Sequence, residues 1–74
     1  MSNKKSRDSK EIRKVLLKRG WKLKKIVGSH HNYVHLEYKG KVTIPHPKKD
    51  LPPKTFKRIL KQMNITVEEF DSSL

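Results

Sequence analysis

The tetrapeptide Gly28-Ser29-His30-His31 concentrates the chemistry of this chain: a glycine, a hydroxyl and two adjacent imidazoles. Imidazole has an unperturbed pKa of ~6.5, so near neutral pH it both gives and takes protons. Around this segment the chain is strongly basic. Nineteen Lys and Arg stand against seven Asp and Glu, for a formal net charge of +12. Cations displace condensed counterions from a phosphate backbone, so a polyanion is the natural partner of such a surface. Proton transfer beside a bound phosphate is the chemistry these residue types suit.

Other readings of the histidines are weaker. His30, His31, His35 and His46 offer four nitrogens for a zinc ion, but the chain has no cysteine and no zincin-type helix pattern. No metal and no other cofactor is therefore expected. His46 stands in Pro45-His46-Pro47 and reads as an exposed loop imidazole. There is no Gly-rich phosphate loop, no nucleophile elbow and no spaced carboxylate pair.

The elements that must position these groups follow from periodicity. Residues 1–8 read as a flexible basic arm, and residues 9–74 as a single small domain. Ser9 is a suitable N-cap for an amphipathic helix over 10–19, with Ile12, Val15 and Leu16 on its buried stripe and Gly20 as terminator. Residues 21–27 read as a strand with a shift near Ile26, and Gly28-Ser29 as the following turn. Residues 32–38 alternate: Val34, Leu36 and Tyr38 are expected inward, with Tyr33, His35 and Glu37 outward. On that parity His30 falls with the inward set and His31 with Tyr33, which is left free to stack on a base. Lys39-Gly40 reads as a tight hairpin turn, and 41–44 as a third strand with Val42 and Ile44 inward.

Pro53 suits the first turn of a second helix, in which Phe56, Ile59, Leu60 and Met63 keep helical spacing. Lys54, Lys57, Arg58 and Lys61 repeat that spacing two residues earlier, a basic stripe about 200° away. Asn64 suits a left-handed cap, and Thr66 with Glu69 a capping box for a last helical turn that buries Phe70. The expected fold is α+β: α-β-β-β-α, a three-stranded antiparallel sheet with two helices on one face and a short C-terminal helical turn.

No apolar run approaches the ~18 residues of a membrane span, and the polar N-terminus is unlike a signal peptide. No membrane association is expected, and cytoplasmic location is.

Several segments taken together resemble one known family. They are Arg19-Gly20-Trp21, Gly28-Ser29-His30-His31 with Tyr33, Val42-Thr43-Ile44-Pro45-His46, Leu51-Pro52, Thr55 to Lys61, and Thr66-Val67-Glu68-Glu69-Phe70. As a set these resemble the HicA toxins, the mRNA interferases of HicA–HicB toxin–antitoxin pairs. The resemblance covers nearly the whole chain after the basic arm. It implies a fold like that of double-stranded-RNA-binding domains and ribosome-independent cleavage of mRNA; with the RNA 2′-OH as nucleophile and an imidazole to move its proton, that cleavage is expected to be metal-independent. It also implies a HicB-like antitoxin that masks the site, and His30 as the catalytic residue. On this reading Gly28 and Ser29 let the RNA backbone approach. Lys54, Lys57, Arg58 and Lys61, with Lys22 and Lys24, hold phosphates, and His31 and His46 are candidates for support. The alternative is a non-catalytic module that binds double-stranded RNA or DNA.

Overall fold

The computed structural model describes residues 7–74. Its elements run α1 (Ser9–Lys18), β1 (Lys22–Val27), β2 (His30–Val34), β3 (Lys41–Pro45), α2 (Pro53–Met63) and α3 (Val67–Ser72). The strands form one antiparallel sheet in the order β1-β2-β3. This is the expected α-β-β-β-α arrangement with a short C-terminal helix.

One core joins the two long helices to one face of the sheet. Ile12, Val15 and Leu16 of α1 and Phe56, Ile59, Leu60 and Met63 of α2 cluster with Trp21, Tyr33, Val42, Ile44, Leu51 and Phe70. Both helices end as their sequences dictate. Gly20, at φ 94°, follows α1, where Trp21 N–H donates to Leu16 O and Gly20 N–H to Leu17 O. Asn64, at φ 65°, closes α2 with Ile65 N–H to Leu60 O and Asn64 N–H to Lys61 O. Each pair of bonds is the Schellman pattern, which needs a left-handed residue just past the helix.

The Thr66–Glu69 capping box is present and starts α3. Phe70 then packs edge-on against Phe56, with ring centroids 5.0 Å apart.

The residues before α1 are held where the expected arm meets the fold. Residues 1–6 of that arm lie outside the described residues. The Arg7 guanidinium lies 4.6 Å from the Phe56 ring centroid and donates to the Asp71 carboxylate at 2.7 Å. Asp8, not Ser9, is the N-cap, its carboxylate accepting from Lys10 N–H. Ser9 is buried, and its hydroxyl accepts from Lys48 N–H at 2.9 Å. Both are cap-forming residue types. Contact with the 46–52 loop, invisible in local sequence, decides between them.

The inward set of β2 is the reverse of the expected one. Tyr33 is fully buried, whereas Leu36 is 95% exposed and Tyr38 44% exposed. β2 ends at Val34, so Leu36 and Tyr38 lie in a six-residue connection (35–40) and Lys39-Gly40 is not a two-residue hairpin turn. Directly paired residues of antiparallel strands share a face. Val42 pairs with Tyr33 and Ile44 with His31, so once Val42 and Ile44 point inward, Tyr33 and His31 must as well. Tyr33 is therefore core, its hydroxyl accepting from Arg13 Nε at 3.1 Å, and it is not free to stack on a base.

Candidate active site

The reversed parity places His30 on the sheet face that carries no helix. Three cross-strand rows make up this face: Val27, His30 and Pro45; then Lys25, Asn32 and Thr43; then Lys22, Val34 and Lys41. The register slips between Leu23 and Lys25, which makes Lys24 the bulged residue and explains why β1 alternation is irregular in the sequence. The two-residue turn before His30 has Gly28 at its first position with φ 61°. That is the backbone a type II′ turn demands, and glycine is the residue that adopts it without strain. Ser29 O accepts from His46 N–H at 2.9 Å and so ties the turn to the end of β3.

His30 is exposed and lines a cleft of about 490 Å³ between this face and one flank of α2. Thr43 and Pro45 form its floor, and Lys48 comes from the loop after β3. Thr55, Arg58 and Gln62 come from α2. Among the described residues no carboxylate lines it. Gln62 Oε1 accepts from Thr43 N–H at 3.2 Å and so pins α2 to the β3 edge.

The expected phosphate-holding residues separate in space. Arg58 lines the cleft, while Lys54, Lys57 and Lys61 are exposed and do not. At about 100° per residue, Thr55, Arg58 and Gln62 fall within about 60° of one another beside the buried stripe, with Lys57 and Lys61 toward its other flank. Lys24 borders a second concavity on the same sheet face, and Lys22 stands exposed at the far end of that face. Lys48, Thr43, Thr55 and Gln62 were absent from the expected site. For the α2 pair the i, i+3, i+7 spacing with Arg58 was the available signal; for Lys48 and Thr43 there was none.

His31 and His46 belong to the opposite side of the sheet. His31 shares a row with Ile26 and Ile44, and its Nδ1 is buried without a hydrogen-bond partner among the described residues. The His46 ring meets it edge-on, with centroids 4.9 Å apart. His46 is not the exposed loop imidazole expected: it is half-buried, and its Nδ1 lies 2.8 Å from Ser9 Oγ. Burial, followed by the neighbouring His31 and Arg13 charges, lowers the pKa of His46 from its ordinary value. Neither ring lines the cleft.

His35 is a structural residue. Its Nδ1 accepts from Glu37 N–H at 3.0 Å, so the ring hydrogen sits on Nε2 and goes to Arg19 O at 2.9 Å. Among the described residues no three His, Asp or Glu side chains are placed to hold a metal ion. No helix among them is long and apolar enough to cross a membrane.

The cleft can therefore hold an anion between Lys48 and Arg58, beside an imidazole and without carboxylate repulsion. Both cations donate hydrogen bonds only, and Arg presents the planar fork that suits phosphate. No curated protein matches the chain. The family model described as the HicA toxin of bacterial toxin–antitoxin systems matches residues 9–65, a span that runs from the first residue of α1 to just past α2 and includes every residue lining the cleft. With the fold and that span together, the chain belongs to the HicA toxin family, the toxin side of bacterial toxin–antitoxin systems.

Proposed function

We propose that the protein is an endoribonuclease that cleaves mRNA without a metal ion, with His30 as the proton-transferring group. One observation carries the reading: His30 stands at the strand end in a cleft with Lys48 and Arg58 and no carboxylate. RNA brings its own nucleophile, the 2′-hydroxyl. Neutral His30 takes the 2′-OH proton as O2′ bonds to the adjacent phosphorus. The P–O5′ bond breaks, and the departing 5′-oxygen takes a proton from the solvent to which the cleft is open. The products are a 2′,3′-cyclic phosphate and a 5′-OH. In the reverse role, imidazolium protonates the leaving oxygen. Such acid–base help is worth roughly 10²–10⁴-fold. Arg58 and Lys48 stabilise the charge that builds on the phosphoryl oxygens.

The Gly28-Ser29 turn has no side chain crowding it. A Cβ built on Gly28 meets nothing within 4 Å, so an RNA backbone has room beside His30. Lys54, Lys57 and Lys61 supply long-range attraction rather than contacts at the reacting phosphate. His31 and His46 support the strand end from the other side of the sheet. The inhibiting partner is a HicB-like antitoxin that covers the cleft, and an acidic surface is the complement this cleft favours. The compartment is the cytoplasm, where mRNA is.

The test uses labelled RNA with EDTA present, comparing wild type with His30→Ala. Cleavage by wild type, reduced at least about 10²-fold in the variant with binding retained, is the expected result. Equal cleavage by both removes His30 from the mechanism. Binding without cleavage by wild type returns the protein to the non-catalytic class that binds double-stranded RNA or DNA.

A further inference from the structure

A second basic concavity continues the His30 cleft across the same sheet face. It measures about 390 Å³ and is bordered by Lys24, Lys25, Lys39 and Lys41 around Asn32 and Val34. Among the described residues no carboxylate borders it. The two concavities meet at one hydrogen bond, Thr43 Oγ1–H to Asn32 Oδ1 at 2.6 Å, with Thr43 lining the cleft and Asn32 the second hollow. That bond takes one lone pair of Asn32 Oδ1 and orients the amide. Its Nδ2 donates to no described residue, so Asn32 has both amide hydrogens to offer to whatever lies over it.

From these observations we infer that the sheet face is a second RNA-binding subsite, in which the RNA strand continuing from the His30 cleft runs along β2, its phosphates taken by Lys25 and Lys41 with Lys24 and Lys39 beside them. The inference rests on the ribonuclease reading for the identity of the polyanion. From His30 to Val34 the face extends about 13 Å at a strand rise of about 3.3 Å per residue. That length is longer than one nucleotide of an extended single strand, so more than one phosphate fits. Asn32, midway along, donates to a base-edge acceptor or a phosphate oxygen. The subsite assigns binding to the helix-free face rather than to the outer face of α2, where Lys57 and Lys61 stand. A second copy of this chain is a poor occupant, because it would bring its own Lys22, Lys25 and Lys41 against these.

Two double variants that remove the same charge separate these surfaces: Lys25→Ala/Lys41→Ala and Lys57→Ala/Lys61→Ala. Each is made in the non-cleaving His30→Ala background, checked for folding by circular dichroism, and titrated with a 12-nucleotide single-stranded RNA at several KCl concentrations in EDTA. Removing two phosphate contacts to a single strand should lower the slope of log K against log salt by about 1.4. The expected result is that loss for Lys25→Ala/Lys41→Ala and a clearly smaller one for Lys57→Ala/Lys61→Ala. Equal losses, or a larger one from the α2 pair, overturn the inference. An unchanged RNA slope combined with lost affinity for poly-glutamate also overturns it and reassigns the face to an acidic protein partner. Wild-type cleavage is read separately. A chain that cuts RNA but binds it as well without Lys25 and Lys41 loses the subsite and keeps the nuclease. One that does not cut, yet shows the expected slope change, loses the nuclease and keeps the subsite.

Discussion

Replacing Gly20 with alanine tests how α1 is joined to the sheet. Gly20 has φ 94°, a region L side chains rarely adopt, and a Cβ built there would lie 2.9 Å from His35 Nε2. Holding alanine in left-handed backbone costs roughly 1–2 kcal/mol. The imidazole cannot simply swing away, because it is fixed from both ends, Nε2–H on Arg19 O and Nδ1 under Glu37 N–H. Moving it sacrifices a bond worth about 0.5–1.5 kcal/mol. It also disturbs the edge-on contact with Trp21, whose centroid lies 5.2 Å away, a class of contact worth about 0.5–1.5 kcal/mol. The sum is about 2–5 kcal/mol. In urea unfolding this appears as a midpoint about 2 M lower for a slope near 1.5 kcal/mol/M. The clash component is isolated by repeating the substitution in a His35→Ala background, where only the backbone strain of about 1–2 kcal/mol should remain. A Gly20→Ala loss below about 0.5 kcal/mol, or one of the same size in both backgrounds, would refute the reasoning.

Two further outcomes are expected. Tyr33→Phe should cost about 0.5–1.5 kcal/mol in chemical unfolding, since it removes the acceptor for Arg13 Nε, and should leave RNA affinity unchanged because the ring is buried. Stability should also depend on pH through His46. Its pKa in the fold is lowered, so the unfolded chain binds the proton more readily. The stabilising contribution is complete above the unfolded value of about 6.5 and is lost as pH falls through the lower folded value. Unfolding curves from pH 8 down to pH 5 should show that loss, and His46→Asn should flatten it. An equal decline in the variant would assign the effect to other groups.

Element type and order were legible because they depend on local rules. The helical spacing of Phe56, Ile59, Leu60 and Met63, the left-handed cap at Asn64, and the Thr66–Glu69 box all appear where the sequence places them. The β2 face was not legible. Alternation divides His30 to Val34 into two sets but does not say which is buried, and Leu36 and Tyr38 point to the wrong one because they lie beyond the strand. The register with β3 settles it: Val42 opposite Tyr33 and Ile44 opposite His31 put both β2 residues on the core side. Likewise, helical spacing groups Arg58 with three lysines, yet only docking α2 along β3 reveals that Arg58 alone of the four reaches the cleft.

The histidine pair shows where the division lies. Sequence by itself determined that two imidazoles follow a Gly-Ser turn in a strongly cationic chain, and that neighbours in a strand face opposite sides. Tertiary structure alone decided which imidazole meets solvent beside Lys48 and Arg58, and which turns in to pack on His46. The physical reason is that face selection is a cooperative property of the sheet and its helix layer. One residue of slip would exchange the two histidines, and only the burial of Tyr33, Val42 and Ile44 against α1 and α2 forbids it.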